Sequence, residues 1–115
     1  MRQVFLIFFF VILSNYVHSQ KIRVVENSKL AKLAAKIKKE DRYAITFGRT
    51  IFISGSKEQF FGDIGWLRHE LTHVQQYEKH GVLRFLTLYL VYSIFHKYSE
   101  IPFEKEAIAA QFPDQ

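Results

Sequence analysis

The chain has 115 residues, 49 % hydrophobic and 17 % aromatic, enough for one domain with its own core and too few for two. It contains no cysteine, which excludes a disulfide framework, a thiolate zinc centre and a lipidated-cysteine anchor, and leaves any metal to nitrogen and oxygen ligands. A net charge of +5 suits an acidic or anionic-surface partner but is too small to indicate nucleic acid.

Met1-Arg2-Gln3 is a short positive start, Val4 to Leu13 an unbroken apolar run, and Ser14-Asn15 a polar break. This is the layout of an export signal, with cleavage expected between Ser19 and Gln20. Residues 1–19 then form the signal peptide and 20–115 a single exported domain, periplasmic or secreted. The alternative is an uncleaved anchor. A helix over the apolar run reaches only about 15–21 Å, short of a hydrocarbon core of about 30 Å.

Ser28 to Lys39 carries Leu30, Leu33, Ala34 and Ile37 on one face, with Lys29, Lys32, Lys36, Lys38 and Lys39 over the rest. The pattern predicts an amphipathic helix capped by Asn27 or Ser28, its apolar face packed inward and its lysines solvated. Such a basic helix can also lie on an anionic membrane. Arg42 to Phe47 and Thr50 to Ser54 are β-branched and aromatic runs joined by Gly48-Arg49, a two-residue hairpin loop. Ser56 to Gln59 has capping-box spacing for a short helical turn.

The next segment carries the chemistry. Asp63 is the expected N-cap, Gly81 the expected terminator, and Ile64, Leu67, Leu71 and Val74 recur at helical spacing between them. Within this helix lies His69-Glu70-Leu71-Thr72-His73, an HExxH run. It puts two imidazoles on one face about 6 Å apart in rise, able to converge on one cation, with Glu70 beside them free to take a proton from water. The bland reading is a satisfied pair of core histidines.

Val82 to Phe95 is apolar nearly all round, which predicts a buried central core helix, or else a surface dipping into a membrane. Pro102 suits the first turn of a last helix running to about Gln111, with Pro113 as its stop. A catalytic zinc usually takes three protein ligands, so a third must come from downstream. Glu78 faces away, and His80 lies about 10 Å along the axis from His73. Glu100, His96 and Asp114 are further candidates. Glu104 and Glu106 differ by about 200° around their helix, so at most one of them faces the ion.

"RHELTHVQQY" followed, after an apolar helix, by "PFEKEAIAA" resembles the gluzincin branch of HExxH metallopeptidases, and "HELTHVQQ" is similar to bacterial domains of unknown function classed with metallopeptidases. The resemblance spans roughly residues 42–111. It implies a small zincin-like α+β domain with a short antiparallel hairpin, about four helices and HExxH on a central one. It further implies zinc as cofactor, a peptide or protein substrate, His69, His73 and Glu104 as ligands, and Glu70 as general base. Glu104 matches the family's E-x-x-A pattern through Ala107, and Glu106 fits it formally through Ala109. The resemblance also makes Thr50, Ile51, Phe52, Ile53 and Ser54 the rim strand on which an extended substrate lies. Gluzincins often carry Asp or Asn four residues after the ligand Glu to orient an imidazole, and here that position is Ile108. The outer partner must therefore come from elsewhere. Tyr92, His96 and Tyr98 lie between the ligand helices without an assigned role, and the sequence does not indicate an oligomeric state. The rival readings are an inactive peptide-binding module of the same fold and a membrane-surface interaction protein.

Overall fold

The computed structural model describes residues 21–113. The expected signal peptide and Asp114 lie outside them. The elements run strand Arg23–Val25 (β1), helix Lys29–Lys38 (α1), strands Ala44–Phe47 (β2) and Thr50–Ile53 (β3), then helices Lys57–Gly62 (α2), Ile64–His80 (α3) and Val82–Phe95 (α4). A 3-10 turn at Tyr98–Glu100 leads into the last helix, Pro102–Gln111 (α5). The architecture is α+β.

Local chemistry sets these boundaries. The Ser28 hydroxyl accepts from the Ala31 amide to start α1, and Ser56 and Gln59 form a reciprocal capping box on α2. Asp63 accepts from the Trp66 amide at 3.1 Å to start α3. Gly48 turns the hairpin at φ 62°, a region that costs a residue with a Cβ. Pro102 opens α5, where its missing N–H would have had no helical partner.

The sheet is mixed, in the order β1-β3-β2. β1 runs parallel to β3 with Val24 opposite Ile51, and β2 runs antiparallel with Thr46 opposite Ile51. β1 was not expected, although Ile22-Arg23-Val24-Val25 alternates as a short strand does. Strand pairing puts Val24, Ile51, Ile53, Ala44 and Thr46 on one face. Ile51 and Ile53 meet Phe60 of α2 and Leu71 and Val74 of α3 in the main core. A second cluster joins Tyr77, Phe85, Ile101 and Phe103, tying α3, α4 and α5 together.

Three expectations change here. Thr50–Ile53 is the middle strand, with β1 on one edge and β2 on the other, so it has no free edge to serve as a rim. Ile51 and Ile53 are spent on the core. The outer strand beside α3 is β2. Val82–Phe95 is not a central core helix, because Phe85 alone is buried in it and Leu83, Leu90 and Ile94 face outward. The space beside the sheet is already filled by α3, so α4 packs only through the stripe of Phe85, Leu88, Tyr89 and Tyr92. Finally, α1 buries Ala31 and Ala35 rather than its leucines. Small side chains let the helix sit close against β3, and Leu30, Leu33 and Ile37 are left outside.

Candidate metal centre

α3 packs along α5, and the site lies between them. His69 and His73 stand one turn apart on α3, their rings 4.9 Å between centroids and 74° between planes. Glu104, in the first turn of α5, reaches across: its Oε1 is 3.1 Å from His69 Nε2 and 3.0 Å from His73 Nε2. The three ligand-type atoms lie within 4.8 Å of one another, and all three residues are buried.

The outer atoms of the rings are held as well. His73 Nδ1 donates to Gln76 Oε1 at 2.9 Å, which turns the lone pair of Nε2 toward Glu104. Gln76 is fixed in turn by donating to the Phe103 carbonyl at 3.0 Å and to Glu106 Oε1 at 2.8 Å. His69 Nδ1 lies 2.7 Å from the amide end of Gln111, whose backbone carbonyl accepts from Arg68 at 3.2 Å. A side-chain amide offers either its oxygen or its nitrogen by rotating, so Gln111 suits His69 in either tautomer. The outer partners that Ile108 cannot supply are thus two glutamines.

A ring lone pair and a carboxylate aimed at one buried point need a positive charge between them. A shared proton satisfies them, and so does a cation. Two imidazole nitrogens and one carboxylate oxygen with oriented outer atoms fit a divalent ion. The electrostatics follow from the shared proton. Burial works against an ionised Glu104, yet the hydrogen bonds from His69 and His73 outweigh it and hold the carboxyl well below the usual range. Burial likewise opposes a charged His73, and Glu104 outweighs it in the other direction.

Glu70 shares the site without joining the ligand cluster. Its Oε1 accepts from Thr46 Oγ1 of β2 at 3.0 Å. Burial raises its pKa, and the neighbouring histidines only partly offset that. Beside it opens a cavity of about 220 Å³ whose lining includes Tyr43, Thr46, Glu70, His73, Tyr89 and Glu104. Tyr89 donates to Glu104 Oε2 at 2.7 Å. Burial first, and Glu104 second, keep the Tyr89 and Tyr98 phenols protonated far above neutral pH.

The eCIS core domain model matches residues 17–81. The chain belongs to the eCIS core domain family. No curated protein matches it, and no solved structure does. The eCIS core match takes in β1 through α3, including His69, Glu70 and His73, and ends before α4 and α5. Tyr89, Glu104 and Gln111 therefore lie beyond the segment that defines the eCIS core relationship.

Among the residues singled out from sequence, the structure brings together His69, Glu70, His73 and Glu104. It leaves Glu106 on the exposed side of α5, bonded to Gln76. His80 packs on Phe103, and His96 on Tyr92. Thr50, Ile51, Phe52, Ile53 and Ser54 do not line the cavity, which is walled instead by Ala44, Ile45 and Thr46 of β2. Sequence reasoning missed Tyr89, Gln76, Gln111 and Thr46. Only Gln76 left a signal, one turn after His73 on the same helix.

Proposed function

We propose that this eCIS core domain is a zinc-dependent hydrolase of peptide bonds, with His69, His73 and Glu104 as ligands and Glu70 as general base. The observation that carries the reading is the buried convergence of the His69, His73 and Glu104 donors with an unshared carboxylate at their side. Two imidazoles and one carboxylate favour zinc among the common divalent ions. Zinc supplies Lewis acidity toward a carbonyl oxygen and toward water.

The protein's own groups do the rest. Glu70, less acidic than a solvated glutamate because it is buried, takes a proton from water in the cavity as that water's oxygen bonds to the scissile carbonyl carbon. It returns the proton to the amine as the C–N bond breaks. Thr46 holds Glu70 in place. The phenols of Tyr89 and Tyr98 line the same cavity and already donate to Glu104, so either one serves growing negative charge on oxygen only by exchanging that hydrogen bond. β2 walls the cavity and has a neighbour on only one side among the described residues, which suits an extended peptide laid beside it. Export through residues 1–19 belongs to the same proposal, and N-terminal sequencing of exported protein tests it by finding Gln20 first.

The experiment is Glu70→Gln, assayed on an unfolded-protein or peptide-library substrate. The variant keeps zinc and binds peptide as the parent does, while hydrolysis falls roughly 10²-fold or more, the scale of a positioned general base. A zinc-loaded parent that cuts nothing in such a library overturns the hydrolase reading in favour of a peptide-binding module.

A further inference from the structure

α1 is built to show its apolar side outward. The helix docks through Ala31 and Ala35, which are buried, while Leu30 is 55 %, Leu33 54 % and Ile37 68 % exposed. These three fall at helical spacing on one stripe. Lys29, Lys32 and Lys36 border the stripe on one side and Lys38 on the other, all exposed. The helix contains no acidic residue.

We propose that this stripe is a docking face for an anionic lipid bilayer, with Leu30, Leu33 and Ile37 in the headgroup–acyl boundary and the lysines on lipid phosphates. An apolar strip with a basic border on a helix lying flat is the chemistry of interfacial binding. The ten-residue helix is about 15 Å long, too short to cross a bilayer and suited to lying on one. No described helix is long and apolar enough to span. A second copy of the chain is disfavoured, because a two-fold interface would bring each lysine border against its twin. The outward face of α4 is also apolar, but it has no charged border of this kind to select a partner. The proposal is independent of the hydrolase reading.

The test uses the full chain, which has no cysteine, so that Leu33→Cys gives a single site for an environment-sensitive nitrobenzoxadiazole label. A label at Lys57→Cys, on α2, is the control. Phosphatidylglycerol-containing vesicles shift the Leu33→Cys emission to the blue, pure phosphatidylcholine vesicles do not, and the control label stays unchanged on both. Comparing the two vesicle types at one labelled position removes any tethering by the apolar N-terminal run. Lys32→Gln with Lys36→Gln, or high salt, abolishes the shift. No shift on phosphatidylglycerol vesicles overturns the proposal. So does emission already blue without vesicles, which indicates a second copy if it depends on protein concentration and a covering segment of the same chain if it does not. A shift equal on both vesicle types overturns the lipid-charge requirement and with it the proposal. A shift on acidic polypeptide but not on vesicles assigns the face to a protein partner.

Discussion

Replacing Gln76 with Met tests whether the outer hydrogen bonds around the histidines matter as described. Met keeps the length and loses both polar atoms. In the parent, Gln76 is buried, accepts from His73 Nδ1 at 2.9 Å and donates to the Phe103 carbonyl and Glu106. The carbonyl loss is minor, since a carbonyl in the first turn of α5 also serves its own helix. Glu106 is exposed and returns to water. The remaining cost is one buried N–H on His73 without an acceptor, about 1–3 kcal/mol. Chemical denaturation of the chelator-treated protein therefore shows Gln76→Met less stable by that amount. In zinc competition titrations the same variant binds about 10–100-fold more weakly, because neither the ring's orientation nor its Nδ1–H tautomer is held any longer. Gln76→Glu restores an acceptor for Nδ1 and recovers part of the affinity. Unchanged zinc affinity in Gln76→Met would refute the argument that Gln76 sets the ring.

Glu104→Ala abolishes tight metal binding and Glu106→Ala leaves it nearly intact, as metal content after dialysis reports; the opposite result would move the third ligand. Phe60→Ala, at a fully buried ring contacting Trp66, lowers stability by about 3–5 kcal/mol in urea unfolding, and a loss below about 1 kcal/mol would contradict the place of Phe60 in the main core. Asp63 has a lowered pKa, chiefly from the Trp66 amide and then from Arg42. Its folded value lies below an unfolded value of about 3.9, so its contribution is complete above about pH 4 and lost as pH falls through the folded value. The side chain is 33 % exposed, so solvent screens the pair and keeps the effect below about 1 kcal/mol. Asp63→Asn retains the cap and flattens the acid limb of the stability profile, and an unaltered limb would contradict the assignment.

The parts of this structure legible in the sequence are those set by neighbours along the chain. Asp63, Gly81, the Ser56–Gln59 box, the Gly48-Arg49 turn and Pro102 all act within a few residues of where they sit, and each marks the boundary it should. HExxH is likewise local, because one helical turn fixes the relation of His69 to His73. What could not be read depends on which faces meet. Leu30, Leu33 and Ile37 form the more hydrophobic side of α1, yet close approach to the sheet selected Ala31 and Ala35. α4 is apolar enough for a core, but the space was taken by α3. Strand order is also non-local: with β1 unrecognised, β3 passed for an edge. Glu104 was separable from Glu106 only by the family resemblance, since rotation around α5 says that the two differ and not which one turns inward.

The hydrogen bond from Thr46 to Glu70 joins an outer strand to the carboxylate on the central helix. Its consequence is thermodynamic linkage. Any molecule that orders β2 narrows the positions open to Thr46, and through it those open to Glu70, so occupancy along the strand and the poise of the carboxylate share one coupling free energy. Reciprocity then requires that whatever fixes Glu70 also tightens the strand. Thr46→Val removes the donor hydroxyl and cuts that link while keeping the shape of the strand residue and leaving Glu70 itself unchanged. Its signature is faster amide exchange along Ala44–Phe47 and a weaker dependence of strand protection on what fills the cavity.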